Sequence, residues 1–271
     1  MLVKDNPGNA QPLRPKSLIS ITGATAKRIG DGDLREGLSA ALCDVLNLVQ
    51  SKLTPYLPAR LQCPCCGYEG YSFFHLSNRL RIAWNSACPN CGSRSRHRGL
   101  AVLLPDLVNS NPALRKVLHF APEPVLESAL RKQDIEYRTS DLYLQDVDLP
   151  GEDLQHLSLP SRSYDLVLCN HVLEHVADDD KAVSEIARIL KPSGIAVITI
   201  PGDWTRSHTV VFPDQRLNGH YRDYGMDAKK LFLRHFANVR VVDMHVFDRL
   251  SRRRRRAIRR HDLVFICQTS M

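Results

Sequence analysis

The sequence has 271 residues, 43% hydrophobic and 24% charged, a composition of soluble globular protein rather than of a disordered or fibrous chain. It contains no run of 18 apolar residues, which argues against a transmembrane helix, and its first residues, MLVKDNPGNAQPLRPK, lack the apolar core of a secretion signal, so cytoplasmic residence is expected. The net charge of +8 is uneven: SRRRRRAIRR holds seven arginines (252–256, 259 and 260), and without them the chain is nearly neutral, which argues against a protein built throughout for nucleic acid.

In chain order, residues 1–32 are rich in Pro, Gly, Asn and Asp and read as disordered or wrapped over the surface. From Asp33 a helical stripe begins, with Leu34, Leu38, Ala41, Leu42, Val45, Leu48, Val49 and Leu53 on one side, expected to pack on the main body; TPYLP ends it. A cysteine-bearing segment occupies residues 61–95, and HRGLAVLLPDLVNS reads as a linking helix. From Lys116 strands and helices alternate: KVLHF, PVLESALRK, IEYRTS, YDLVLCN, DDKAVSEIARIL, a PSG stop, IAVITI, DAKKLFLRHF, VRVVDMHVF and DLVFICQ. Such alternation predicts a mainly parallel sheet with helices on both faces, and the last two strands, joined by the arginine-rich loop, should pair antiparallel. The expected domains are an N-terminal extension and helix (1–60), a zinc ribbon (61–95) and a catalytic domain (96–271).

Five of the eight cysteines fall between residues 63 and 91. Clustering of this kind in a cytosolic chain points to metal rather than to disulfides. Cys63-x2-Cys66 and Cys88-x2-Cys91, each followed by glycine and separated by 21 residues, supply two knuckles for a tetrahedral, structural Zn²⁺. Cys65 sits too close to Cys66 to chelate well and is read as a bystander. A closed four-cysteine site leaves no open position for catalysis.

The run SYDLVLCNHVLEHVADDDKAVSEIARILKPSGIAVITIP, residues 163–201, resembles class I S-adenosylmethionine-dependent methyltransferases, and the resemblance covers about residues 115–271. With CPNCGSRSRHR and LHFAPEP it is similar to a bacterial subgroup carrying an N-terminal four-cysteine zinc ribbon. The resemblance implies an α/β fold: a Rossmann-like seven-stranded sheet with an N-terminal helical segment and a small ribbon. It implies that S-adenosylmethionine meets the first-strand turn Phe120, Ala121, Pro122 and Glu123; Asp141 and Leu142 at the ribose; Asp153 and Leu154 at the adenine, with Asp146, Asp148 and Glu152 as rivals; and Asn170 and His171 at the end of the fourth strand.

The chain departs from the family in having His119 at the usual acidic position and no glycine-rich turn. S-adenosylmethionine carries no phosphate to be cradled by amides, whereas its sulfonium and ammonium suit a carboxylate such as Glu123. The missing glycines therefore argue against NAD more than against this cofactor.

His171, His175 and His220 are the candidate bases. His171, Glu174 and His175 would share a helical face, and in some related O-methyltransferases a Glu-x2-Glu-His run holds a divalent ion here, with His208 or His220 completing it; helix-start packing is the competing reading. In NGHYRDYG, residues 218–225, the family builds its acceptor pocket, which nominates His220, Tyr221, Arg222 and Tyr224 for substrate. No NPPY-like run and no Pro-Cys pair follows the fourth strand, which disfavours exocyclic base amines and cytosine carbons as acceptors. The expected acceptor is a hydroxyl, amine or carboxyl oxygen of a small molecule or glycan. An RNA or protein methyltransferase gripping through the ribbon and arginine run is the alternative, and a non-catalytic binding protein the second.

Overall fold

The computed structural model describes residues 34–78, 81–215, 219–249 and 255–271. The reading of residues 1–32 therefore lies outside the described residues, as do Asn218 and Arg252–Arg254. The described chain divides into two compact units. One holds residues 34–102 and 245–260; the other holds 103–244 and 261–271.

In the first unit, helix α1 (Leu34–Leu53) is followed by the short strands β1 (Leu61–Gln62) and β2 (Glu69–Gly70), the hairpin β3 (Phe74–Asn78) and β4 (Arg81–Ala87), and the start of helix α2 (Ser95–Ser110). Helix α1 does not bury the stripe its periodicity suggested. It lies on β3 through Ala40, Cys43 and Asn47, whose side-chain amide donates to the His75 carbonyl (2.8 Å) and accepts the His75 N–H (2.7 Å). Leu38, Leu42, Val45, Val49 and Leu53 remain 38–55% exposed. A directional amide clamp needs close approach, which small residues permit and branched aliphatics do not.

The second unit is built on a seven-stranded sheet. Its strands are β5 (Lys116–Phe120), β6 (Glu136–Asp141), β7 (Leu149–Pro150), β8 (Tyr164–Asn170), β9 (Leu190–Thr199), β12 (Asn238–Asp243) and β13 (Leu263–Gln268), in the order β7-β6-β5-β8-β9-β13-β12. Pairing is parallel from β7 to β9, and β13 runs antiparallel to both neighbours, as expected. This is the Rossmann-like, doubly wound sheet that the resemblance implied. Central β8 reads almost wholly apolar because both its faces are covered. Helices α3 (Pro124–Leu130), α4 (Asp179–Ile189) and α5 (Ala228–Leu233) pack around it. Asp178 caps α4 by accepting the Lys181 N–H (3.0 Å), and Ala182, Val183, Ile186 and Ile189 are its buried face. The strands β10 (Val210–Val211) and β11 (Arg222–Asp223) form a separate small pair.

Two boundaries differ from expectation. The PSG stop falls inside β9, where Ser193 takes a positive φ of 60° and Gly194 lies so close to the Lys191 carbonyl that a Cβ would collide. The strand read as VRVVDMHVF ends at Asp243, and HVFDR forms a short helix, His245–Arg249. That helix and the described residues Arg255–Arg260 belong to the cysteine-bearing unit.

Candidate functional site

At the carboxyl ends of the parallel strands, order reverses between β5 and β8, the position where open α/β sheets leave a ligand crevice. A hydrogen-bonded line crosses the strand ends there. The Tyr137 hydroxyl meets His119 Nδ1 at 2.8 Å, His119 Nε2 meets Glu123 Oε2 at 3.2 Å, the Asn170 amide donates to the same oxygen at 3.1 Å, and the Thr199 hydroxyl donates to Asn170 Oδ1 at 3.1 Å. Burial pushes the Tyr137 phenol well above its ordinary range, so it remains a donor. His119 Nδ1 then accepts from it, and Nε2–H points at the carboxylate. Thus β6, β5, β8 and β9 each contribute one group to fixing Glu123.

The turn that carries Glu123 is glycine-free but not ordinary. Ala121 has φ 48°, a left-handed conformation usually left to glycine, and His171 at the end of β8 has φ 53°. Both departures flank the strand-order reversal, a pattern associated with ligand sites. Pro124 opens α3, and the Glu123 carbonyl accepts the Leu126 and Glu127 amides (2.9 and 3.0 Å).

Asp141 ends β6 and caps its own turn, with Oδ1 accepting the Tyr143 and Leu144 amides (2.7 and 2.8 Å); Leu142 beside it is exposed. Asp153 Oδ1 accepts the Gln155 amide at 2.9 Å, and Leu154 is buried. Of the rivals, Asp148 is bound to the Thr139 amide and hydroxyl, and Glu152 to the Ser158 amide and hydroxyl; Asp146 is exposed.

Beyond β8 the chain makes a 3₁₀ turn, Leu173–His175, rather than the helical face expected for His171, Glu174 and His175. Glu174 is 1% exposed, and one carboxylate oxygen, Oε2, is buried without a hydrogen-bond partner. Its Oε1 lies 3.2 Å from His171 Nδ1 and 3.9 Å from His175 Nε2. The His175 and His220 rings meet edge to face at 4.8 Å, and ligand atoms of Glu174, His175 and His220 lie within 4.8 Å of one another. Burial lowers the His220 pKa, against the opposing pull of Glu174. A carboxylate with two imidazoles suits a divalent ion such as Zn²⁺, Mn²⁺ or Fe²⁺. His208 is not in this group.

The acceptor residues nominated from NGHYRDYG divide. Arg222 is 4% exposed and spends its guanidinium on the carbonyls of Leu173, Val176 and Ala177 (2.9, 2.7 and 2.6 Å) and on Asp179 (3.4 Å). Tyr224 is buried with its hydroxyl donating to Asp179 at 2.9 Å, and burial raises its pKa. These two brace the loop that carries Glu174, and both side chains are buried. Tyr221, half-buried, donates its N–H to the Glu174 carbonyl (2.8 Å), and His220 faces the cluster.

In the other unit Cys63, Cys66, Cys88 and Cys91 converge. The Sγ separations are 3.7 Å for Cys63–Cys91 and for Cys66–Cys88, against about 3.8 Å for the edge of a tetrahedron with Zn–S bonds of about 2.3 Å. Gly67 and Gly92, at φ 73° and 70°, donate to the Cys63 and Cys88 carbonyls and close the two knuckles. Cys65 is not one of the four.

Two features escaped sequence reasoning. Arg98, fully buried, donates to the carbonyls of Asn85, Ser86, Ser93, Arg256 and Ala257, tying the second knuckle to the arginine run. The line through Tyr137 and Thr199 was also missed: residues of those types in strands usually serve packing, and only their register reveals it.

Residues 115–198 match the family model of the methyltransferase domain, from the first strand of the sheet through the fifth. A 90-residue stretch is 36% identical to an uncharacterised 37.1 kDa protein in transposon TN4556 of Streptomyces fradiae, covering 33% of this chain and 25% of that one. A 61-residue stretch is 38% identical to a probable S-adenosylmethionine-dependent methyltransferase of Mycolicibacterium smegmatis, covering 22% and 24%. The chain thus spans about a quarter of the length of these curated relatives. Among solved structures, a Burkholderia thailandensis 1,6-didemethyltoxoflavin-N1-methyltransferase with bound 1,6-didemethyltoxoflavin and S-adenosylhomocysteine is 15% identical, with a TM-score of 0.45 and coverage of 65% of this chain and 79% of that one.

Proposed function

We propose that the protein transfers a methyl group from S-adenosylmethionine to a hydroxyl, amine or carboxyl oxygen. The observation that carries this reading is the Glu123 carboxylate held by His119 and Asn170 where strand order reverses, inside the segment that matches the methyltransferase domain. The cofactor supplies an electrophilic methyl group on a sulfonium. Glu123 favours its positive charge, Asp141 accepts from the ribose hydroxyls, and Asp153 with the Leu154 amide meets the adenine. A phosphate-bearing dinucleotide is disfavoured, since the carboxylate would repel it and Pro122 and Pro124 remove amide donors. Glu123→Gln keeps the hydrogen-bonding shape and removes the charge. It is expected to weaken S-adenosylmethionine binding about 10- to 100-fold, the range for loss of a charge-assisted hydrogen bond. Melting temperature should stay near that of the wild type.

His175 and His220, which lie close to Glu174, would take a proton from the acceptor at an imidazole nitrogen. The orphaned Glu174 oxygen fits the same three residues to a divalent ion. If the ion is used, EDTA abolishes transfer and Mn²⁺ or Fe²⁺ restores it; undiminished activity after EDTA leaves the histidines as the base alone. The four cysteines are assigned to structural Zn²⁺, on their tetrahedral spacing.

A small molecule or glycan is the first reading of the acceptor. One observation favours the second, a nucleic acid: Arg255–Arg260 belong to the same unit as the four cysteines. Transfer of a labelled methyl group into a cell extract, separated into small molecules, glycans, RNA and protein, decides between them. No label in any fraction contradicts the enzyme reading.

A further inference from the structure

The two units differ sharply in charge. Residues 34–102 and 245–260 carry 16 Lys and Arg against 4 Asp and Glu, net +12. Residues 103–244 and 261–271 carry 16 against 22, net −6. The sequence hides this division because the arginines lie between the last two strands of the sheet, far along the chain from the cysteines.

Residues Arg255–Arg260 are held, not draped. Gln62 N–H donates to the Arg255 carbonyl (2.9 Å) and Arg255 N–H to the Arg60 carbonyl (3.1 Å), an isolated parallel bridge beside β1 immediately before the first knuckle. Arg98 holds the Arg256 and Ala257 carbonyls at 2.8 and 2.7 Å with five donors spent on backbone oxygens and its guanidinium over the Phe73 ring. Asp248 accepts the Arg256 N–H at 2.6 Å, and Ser95 accepts the Arg259 N–H at 2.7 Å. With the backbone so held, the side chains of Arg255, Arg259 and Arg260 are exposed. The same unit exposes Trp84, 58% accessible and edge-on to His75, and stacks the Arg60 guanidinium over Tyr71.

We propose that the cysteine-bearing unit binds single-stranded nucleic acid, Arg255, Arg259 and Arg260 meeting phosphates and Trp84 stacking on a base. Arginines on a held backbone suit a phosphate chain, since the backbone's ordering entropy is already spent. An exposed indole adds the sequence-tolerant stacking that single strands offer and duplexes withhold. Binding does not depend on the nucleic acid being the methyl acceptor.

The test uses the full-length, zinc-loaded protein and a fluorescent 20-nucleotide uridine-rich RNA followed by anisotropy, with an RNA duplex and phosphatidylserine vesicles as parallel probes. Affinity is expected to fall steeply between about 50 and 200 mM salt, with a log–log slope of about −0.7 per phosphate neutralised. The R255E/R260E variant should lose at least about tenfold in affinity and flatten that slope by about 1.4, two phosphate contacts. Arg260→Lys should retain binding. Trp84→Ala should weaken single-strand binding roughly tenfold and leave the duplex unchanged. Zinc content confirms that each variant is folded. S-adenosylmethionine binding by the same variants is expected to stay at the wild-type level. Absence of RNA binding at low salt, unchanged affinity in R255E/R260E, or capture by the vesicles without capture by RNA overturns the proposal.

Discussion

Stripping metal from the four cysteines is expected to unfold residues 34–102 and 245–260 together and to leave the sheet of residues 103–244 and 261–271 folded. The apolar cluster at the knuckles is small, Leu61, Cys63, Phe73 and Cys88, and two of its four members belong to the four-cysteine cluster. A core of that size does not hold a ribbon alone, whereas structural zinc contributes about 10–16 kcal/mol in small domains. The loss passes to residues Arg255–Arg260 through Arg98, which bonds the Ser93 carbonyl of the second knuckle and the Arg256 and Ala257 carbonyls with one guanidinium. Trypsin should therefore spare Arg255–Arg260 in the metal-loaded protein and cut there first after chelation. Cys88→Ser should behave as the chelated protein does. Equal cleavage with and without metal contradicts this coupling.

Arg222→Ala is expected to cost about 3–5 kcal/mol, the penalty for breaking a buried ionic group from its partners. Three carbonyls, of Leu173, Val176 and Ala177, lose their donor, and Asp179 keeps the Tyr224 hydroxyl but loses the neighbouring positive charge. At about 2–4 °C per kcal/mol, the melting temperature should fall by roughly 10 °C. Arg222→Lys should not rescue it, since one ammonium cannot reproduce a planar fork spread over three carbonyls. The pattern separates this role from acceptor recognition. A residue that bound an acceptor carboxylate would leave the melting temperature unchanged and raise KM.

Much of the sheet was legible because its signals are local. Strands such as YDLVLCN are apolar on both faces, and helix α4 announces itself by a capping aspartate and a 3.6-residue apolar repeat. The cysteine knuckles were equally plain, since spacing alone brings thiolates together. Glu123, Asp141 and Asn170 were nominated through the family resemblance, and their shared position at or just beyond the strand ends follows from parallel register. What stayed hidden depended on contacts distant in sequence. Arg98 and Arg256 are 158 residues apart, so nothing in SRRRRRAIRR betrays that its backbone is held from the ribbon. Arg222 and Tyr224 look like ligand residues in a loop because Arg and Tyr recognise ligands well; they recognise buried carbonyls and carboxylates by the same chemistry. The stripe on α1 misled for a simpler reason: periodicity shows that one side of a helix is apolar, not that the apolar side is the one it buries.

Calorimetric titration of S-adenosylmethionine into the folded, metal-loaded protein tests whether Glu123 stands at a cofactor site where strand order reverses. Saturable binding at one site per chain is expected, weakened by Glu123→Gln without loss of melting temperature. No binding to the folded wild type, or undiminished binding by Glu123→Gln, would contradict it.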